Sequence, residues 1–131
     1  MNRISLSICF CWLATSVVLA QESTSLNGRW EATYQGAGGG DNAAELSISD
    51  TGGTWTHRAG KGNKRAKNKP CVDRAFPISI LSKSAAEIAF EVNASTVLQG
   101  CPDLSVVAKL VDGKTLEGSF KNGNPIKFVR Q

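Results

Sequence analysis

The chain has 131 residues, 41% of them hydrophobic and 20% charged, with a formal charge of +4 from 15 Lys and Arg against 11 Asp and Glu. That length, with no internal repeat and no interdomain linker, leaves room for one domain. One His, and no Cys-x-x-Cys spacing among the four Cys, speak against a metal centre or a dithiol redox site.

Residues 1–20 read as a cleavable secretion signal. Met1-Asn2-Arg3 is a short basic end, Ile4 to Leu19 is apolar without an acidic residue, and Val18-Leu19-Ala20 offers compact side chains for cleavage before the polar Gln21-Glu22-Ser23-Thr24. The apolar run falls short of the roughly 20 residues a spanning helix needs, and no second one follows. No membrane span is therefore expected after cleavage. Cys9 and Cys11 lie inside the apolar run and Gln21 follows the cut, which argues against lipid attachment. The folded domain is then 21–131, periplasmic or secreted, and its remaining Cys71 and Cys101 are expected to pair in an oxidising compartment. Closing a loop of roughly 30 residues contributes about 3 to 4 kcal/mol by restricting the unfolded chain.

From there the sequence alternates with period two, which predicts strands and no helix. In Arg29 to Tyr34 the residues Trp30, Ala32 and Tyr34 share a face. Glu45 to Ser49 and Thr54 to Arg58 form a hairpin around Asp50-Thr51-Gly52-Gly53. Phe76, Ile78 and Ile80 share a face, as do Ile88, Phe90 and Val92, with Ser82-Lys83-Ser84 as a polar link. Leu104 to Val111 is almost continuously apolar, which predicts a strand covered on both sides or one near the middle of the sheet. Asp112-Gly113 is a strong hairpin signal leading to Thr115 to Phe120, and Asn122-Gly123-Asn124-Pro125 turns into Ile126 to Arg130.

Eight short strands with short connections favour sequential antiparallel pairing, and a meander of eight can close into an up-and-down barrel. The expected fold is all-β, an eight-stranded antiparallel barrel with a single disulfide; a two-sheet β-sandwich is the alternative. At the two ends of that barrel, Leu26-Asn27-Gly28-Arg29-Trp30 and Ile126-Lys127-Phe128-Val129-Arg130 resemble the calycin barrels, the lipocalins and avidins. The resemblance implies that Trp30 plugs one end and that Arg130 caps it, a cation over an aromatic face. It does not extend to an avidin pocket, since no Trp follows Trp55, nor to the C-terminal helix of a typical lipocalin.

Candidate functional residues fall into two groups. Tyr34, Trp55 and His57 have the spacing to face a barrel interior, where a small hydrophobic or aromatic ligand would be held in the mouth. Arg58, Lys61, Lys64, Arg65, Lys67 and Lys69 form a basic segment too polar to pack, suited to a protein or an anionic envelope polymer. No aromatic residue is interleaved with these cations, which disfavours nucleic acid. The Gly-rich 36–42 stretch lacks the ending of a phosphate loop, and no nucleophile motif, cofactor motif or metal site is present in the sequence. The expectation is a non-enzymatic binding protein that recognises a macromolecule through its loops, in the manner of an inhibitor or immunity-type protein. A small-ligand carrier is the alternative, and a cell-wall or carbohydrate hydrolase a third.

Overall fold

Alternating sequence becomes strand along nearly the whole domain. A computed structural model of the chain describes residues 25–36, 39–59 and 69–131; the expected signal at 1–20 and Lys61, Lys64, Arg65 and Lys67 lie outside these. The strands are β1 (Gly28–Gln35), β2 (Asp41–Ile48), β3 (Gly53–Arg58), β4 (Ala75–Lys83), β5 (Glu87–Val92), β6 (Leu104–Asp112), β7 (Thr115–Phe120) and β8 (Pro125–Arg130). Each pairs antiparallel with the next, and β1 pairs antiparallel with β8, so the sheet closes as a barrel. The sandwich alternative is thereby excluded. Closure leaves no sheet edge to template aggregation.

The inward positions are apolar, and among the described residues no polar or charged residue is fully buried. Trp30, Trp55, Phe76, Phe90 and Phe128 are completely buried. Three of them interlock at mid-height, with ring centroids 6.1 Å apart for Trp55–Phe90 and 6.4 Å for both Trp55–Phe128 and Phe90–Phe128. Such tilted and edge-on rings fill a narrow barrel without the repulsion of stacked faces. Small inward residues make room for them: Ala32, Ala44 and Ala108 are buried, and Gly118 lies opposite Ala108. A Cβ on Gly118 would run into the Val107 carbonyl oxygen and sit 2.6 Å from the Ala108 Cα.

The structure corrects three sequence expectations. Of the two readings of β6, it lies inside the sheet, paired with β5 and β7, and is not covered on both sides: Val107 and Val111 are each 55% exposed, because a single-walled barrel has water along its entire outer face. β2 begins at Asp41, earlier than its apolar pattern suggests, because the register with β1 pairs Gln35 with Asp41 and Tyr34 with Asn42. Ser82 and Lys83 belong to β4 and not to a link; the apolar pattern breaks at a register shift between Ile80 and Ser82, after which pairing resumes.

One end of the barrel is closed. There the connections are short, at residues 49–52, 84–86 and 113–114, and the start of β1 meets the end of β8. The Trp30 indole donates to the Leu26 carbonyl at 2.9 Å, and the Arg130 guanidinium sits 4.2 Å from the Trp30 ring centroid. Arg130 also donates to the carbonyls of Ser25 at 2.8 Å and Asn27 at 3.1 Å, which draws the segment before β1 across the opening. Lys83 holds the same segment from the other side, donating to Asn27 Oδ1 at 2.9 Å and the Ser49 carbonyl at 3.1 Å.

Candidate binding site at the open end of the barrel

The other four connections, at residues 36–40, 59–74, 93–103 and 121–124, leave the opposite end, and the two longest, 59–74 and 93–103, are among them. Two of them are joined by the Cys71–Cys101 disulfide, across 30 residues of sequence. The returning chain after the basic segment is tied down next to it. Val72 bridges His57, and the Asp73 N–H donates to the His57 carbonyl at 2.8 Å. On the far side, residues 94–101 fold into tight turns in which Val97 and Leu98 both donate to the Ala94 carbonyl, with Ala94 and Cys101 buried. Asp103 braces these turns by accepting from the Ser95 N–H at 2.9 Å and hydroxyl at 2.8 Å, and these bonds hold its carboxyl below the usual range.

Within this frame lies an open cavity of about 620 Å³. Tyr34, His57, Leu104 and Phe120 give it an apolar wall, and Asn93, Ser105, Asn122 and Asn124 line it with amide and hydroxyl groups. The volume is in the middle of the range typical of small-molecule sites, about 300–1,000 Å³. It does not continue downward, because Trp55, Phe90 and Phe128 occupy the interior beneath. Glu91, Asp103 and Lys121 are among the further lining residues, and all three are exposed.

Of the three residues expected to meet a small ligand, two reach this cavity. The Tyr34 hydroxyl is 3.1 Å from His57 Nδ1, and the Tyr34 ring meets Phe120 edge-on at 5.0 Å between centroids. Burial pushes the Tyr34 phenol up to about 12 and the His57 imidazole below its ordinary value, so both are neutral at physiological pH. Trp55 is buried and does not line the cavity; its indole N–H stands 3.3 Å from His57 Nε2 and 3.4 Å from Nδ1. It supports the site from below.

The expected partner-binding cations are divided. Arg58 is held on the outer wall by Asp73 at 3.0 Å and Glu45 at 3.4 Å, and Glu45 also pairs with Arg29 at 2.7 Å. Lys69 stands two residues before Cys71 and is exposed. Lys61, Lys64, Arg65 and Lys67 are outside the described residues. Trp30 and Arg130 are at the closed end, remote from the cavity.

Sequence reading missed the contributions of Leu104, Ser105 and Phe120 and of the three asparagines. Phe120 was legible only as an inward strand residue; its place at the last inward position of β7, immediately before the mouth turn, is what exposes one side of it. The asparagines sit in turns, where their frequency as turn formers masks any other role.

No protein-family model matches the sequence, and no curated protein does. A solved structure of a redesigned β-barrel is similar, with a TM-score of 0.50 and 12% identity over 83% of this chain and 94% of the other. At that identity the likeness is one of fold. Among the described residues no three His, Cys, Asp or Glu gather as a metal site would require.

Proposed function

We propose that the protein is an exported binding protein which holds a small, uncharged molecule in the open end of its barrel and does no chemistry on it. The observation that carries this reading is the cavity of about 620 Å³ at the mouth, where half-buried Tyr34, His57 and Phe120 and neutral amides are joined by charged groups only at exposed Glu91, Asp103 and Lys121. A filled core below and a braced rim around it make the site rigid, which reduces the ordering cost of binding. The disulfide fits an oxidising compartment.

The test is a screen of small aromatic and heterocyclic compounds against thermal unfolding, repeated on Leu104→Trp, which enlarges an inward residue of the cavity wall. A ligand at 100 times its Kd stabilises by about 2.7 kcal/mol. The reading requires a shift with the native chain and its loss in the variant. Compounds that stabilise both proteins equally, or none that stabilises the native chain, would reject it.

A second reading, capture of a protein or anionic envelope polymer in the manner of an inhibitor or immunity-type protein, is favoured by one observation. The segment carrying Lys61, Lys64, Arg65 and Lys67 departs from β3 and returns to Cys71 at this same end, beside the disulfide. Replacing Lys64, Arg65 and Lys67 with Ala should then abolish capture and its salt dependence at unchanged stability. Capture unaffected at low salt would end this second reading.

A further inference from the structure

The chemistry of the mouth ligand follows from a hydrogen-bond chain that begins in the core, and the inference rests on the small-ligand reading above. The indole N–H of Trp55 can only donate. It points at the His57 imidazole, 3.3 Å from Nε2 and 3.4 Å from Nδ1, so the ring must receive. An imidazolium carries N–H on both nitrogens and has no lone pair to offer. A neutral imidazole has one. With the lone pair on Nδ1, that nitrogen would face two donors, Trp55 and Tyr34, while Nε2–H met the Trp55 N–H head-on; with the lone pair on Nε2 both contacts are satisfied, Trp55 donating to Nε2 and Nδ1–H donating to the Tyr34 oxygen at 3.1 Å. The Tyr34 hydroxyl proton then has to point elsewhere. Among the described residues that hydroxyl has no other polar partner, and Tyr34 lines the cavity.

We propose that the mouth selects flat, uncharged molecules that present a hydrogen-bond acceptor, a ring carbonyl or ring nitrogen, to the Tyr34 hydroxyl. The preference for a flat ring comes from the aromatic lining: Tyr34 and Phe120, edge-on to each other at 5.0 Å, and Leu104 give apolar surface on which an aromatic guest packs face-on or edge-on. The lack of charge follows from the cost of removing an ion from water beside the half-buried, neutral Tyr34–His57 pair, since the charged residues of the lining, Glu91, Asp103 and Lys121, are all exposed to solvent. The relay also supplies direction: Trp55 and His57 are spent on Tyr34, so Tyr34 is a donor to the guest and not an acceptor from it.

Two measurements test this. The first needs no ligand: this chain has one His, so the ¹⁵N shifts of its imidazole report the tautomer directly. The Nδ1–H form is required, and the Nε2–H form or a charged ring at neutral pH overturns the inference. The second compares coumarin, which has a ring carbonyl, with naphthalene and with 2-naphthoate, by NMR titration of the native chain and of Tyr34→Phe. The ratio of coumarin to naphthalene affinity should fall about 3- to 10-fold in the variant, the value of one neutral hydrogen bond. Naphthoate should bind the native chain more weakly than coumarin. An unchanged ratio, or a preference for the anion, overturns the inference while leaving the mouth as a binding site. Failure of all three probes to bind at the mouth counts against that site itself. If Tyr34→Phe does not fold, the tautomer in the native chain decides.

Discussion

Trp30 and Arg130 are Cα partners across the β1–β8 seam, and the Arg130 guanidinium lies 4.2 Å from the Trp30 ring centroid. One residue pair thus closes the sheet and seals its end. The cation–π contact contributes about 0.5–2 kcal/mol, and the bonds to the Ser25 and Asn27 carbonyls add to it. Arg130→Ala is expected to lower the unfolding free energy in urea by about 2–3 kcal/mol. Arg130→Lys should recover only part of this, since a single ammonium cannot cover the ring and reach both carbonyls. Equal stability of Lys and Arg variants would contradict this account of the fork.

Reduction of Cys71–Cys101 should destabilise the fold by about 3–4 kcal/mol through the freed unfolded chain, from the 30-residue separation. The effect should also be local. Amide exchange at residues 94–101 and at Val72 is expected to accelerate more than at Trp30 or Ala32. Uniform acceleration around the barrel would show that the disulfide does not act as a brace on the mouth.

Stability should decline in acid in a window set by His57. Burial holds its imidazole below the ordinary value of 6.5, so between the two values the unfolded chain binds more protons than the folded one. The contribution is complete above about 6.5 and is lost progressively below it. Glu91, Asp103 and Lys121 share the cavity with His57, and Arg58 adjoins it. Asp103, held low by Ser95, acts only at more acidic pH, below its ordinary value of 3.8. His57→Gln should therefore flatten the urea midpoint between pH 7 and 5. At the alkaline limit the sign is reversed for Tyr34, whose phenol moves from 10.0 to about 12; stability falls as pH rises through that interval.

Gly118→Ala is a small change with a large expected cost. The added methyl would meet the Val107 carbonyl and both the Cα and Cβ of Ala108, at 2.6 and 2.8 Å for the latter two. Overpacking of this kind typically costs about 1–3 kcal/mol. Calorimetry of this variant beside an Ala substitution at exposed Gly113, where an added Cβ would meet nothing within 4 Å, separates steric crowding from loss of glycine freedom.

Much of the architecture was readable because each strand has one wet face and one dry face, and the period-two alternation records it. Trp30, Ala32 and Tyr34 illustrate the case: one face was assigned from spacing, and all three point inward. β6 misled the same reading, since Val107 and Val111 are apolar on the wet face and hydropathy alone does not say which side is water. The candidate site was less legible. Tyr34 and His57 came from strand spacing, whereas Asn93, Ser105, Asn122 and Asn124 come from four-strand geometry and turns, where no period connects them. Gly118 gave no signal at all, because its need to be small is imposed by Ala108 on a neighbouring strand.

The pairing of the first strand with the last has a mechanical consequence. β1 starts and β8 finishes at the same end of adjacent antiparallel strands, where the Gln131 N–H donates to the Arg29 carbonyl at 2.9 Å. A force that pulls the two ends apart loads the seam one rung at a time, beginning at Trp30 and Arg130, and peels it open like a zipper; it never loads all the rungs together in shear. The barrel resists heat through its whole wall, yet against tension it is only as strong as its first pair.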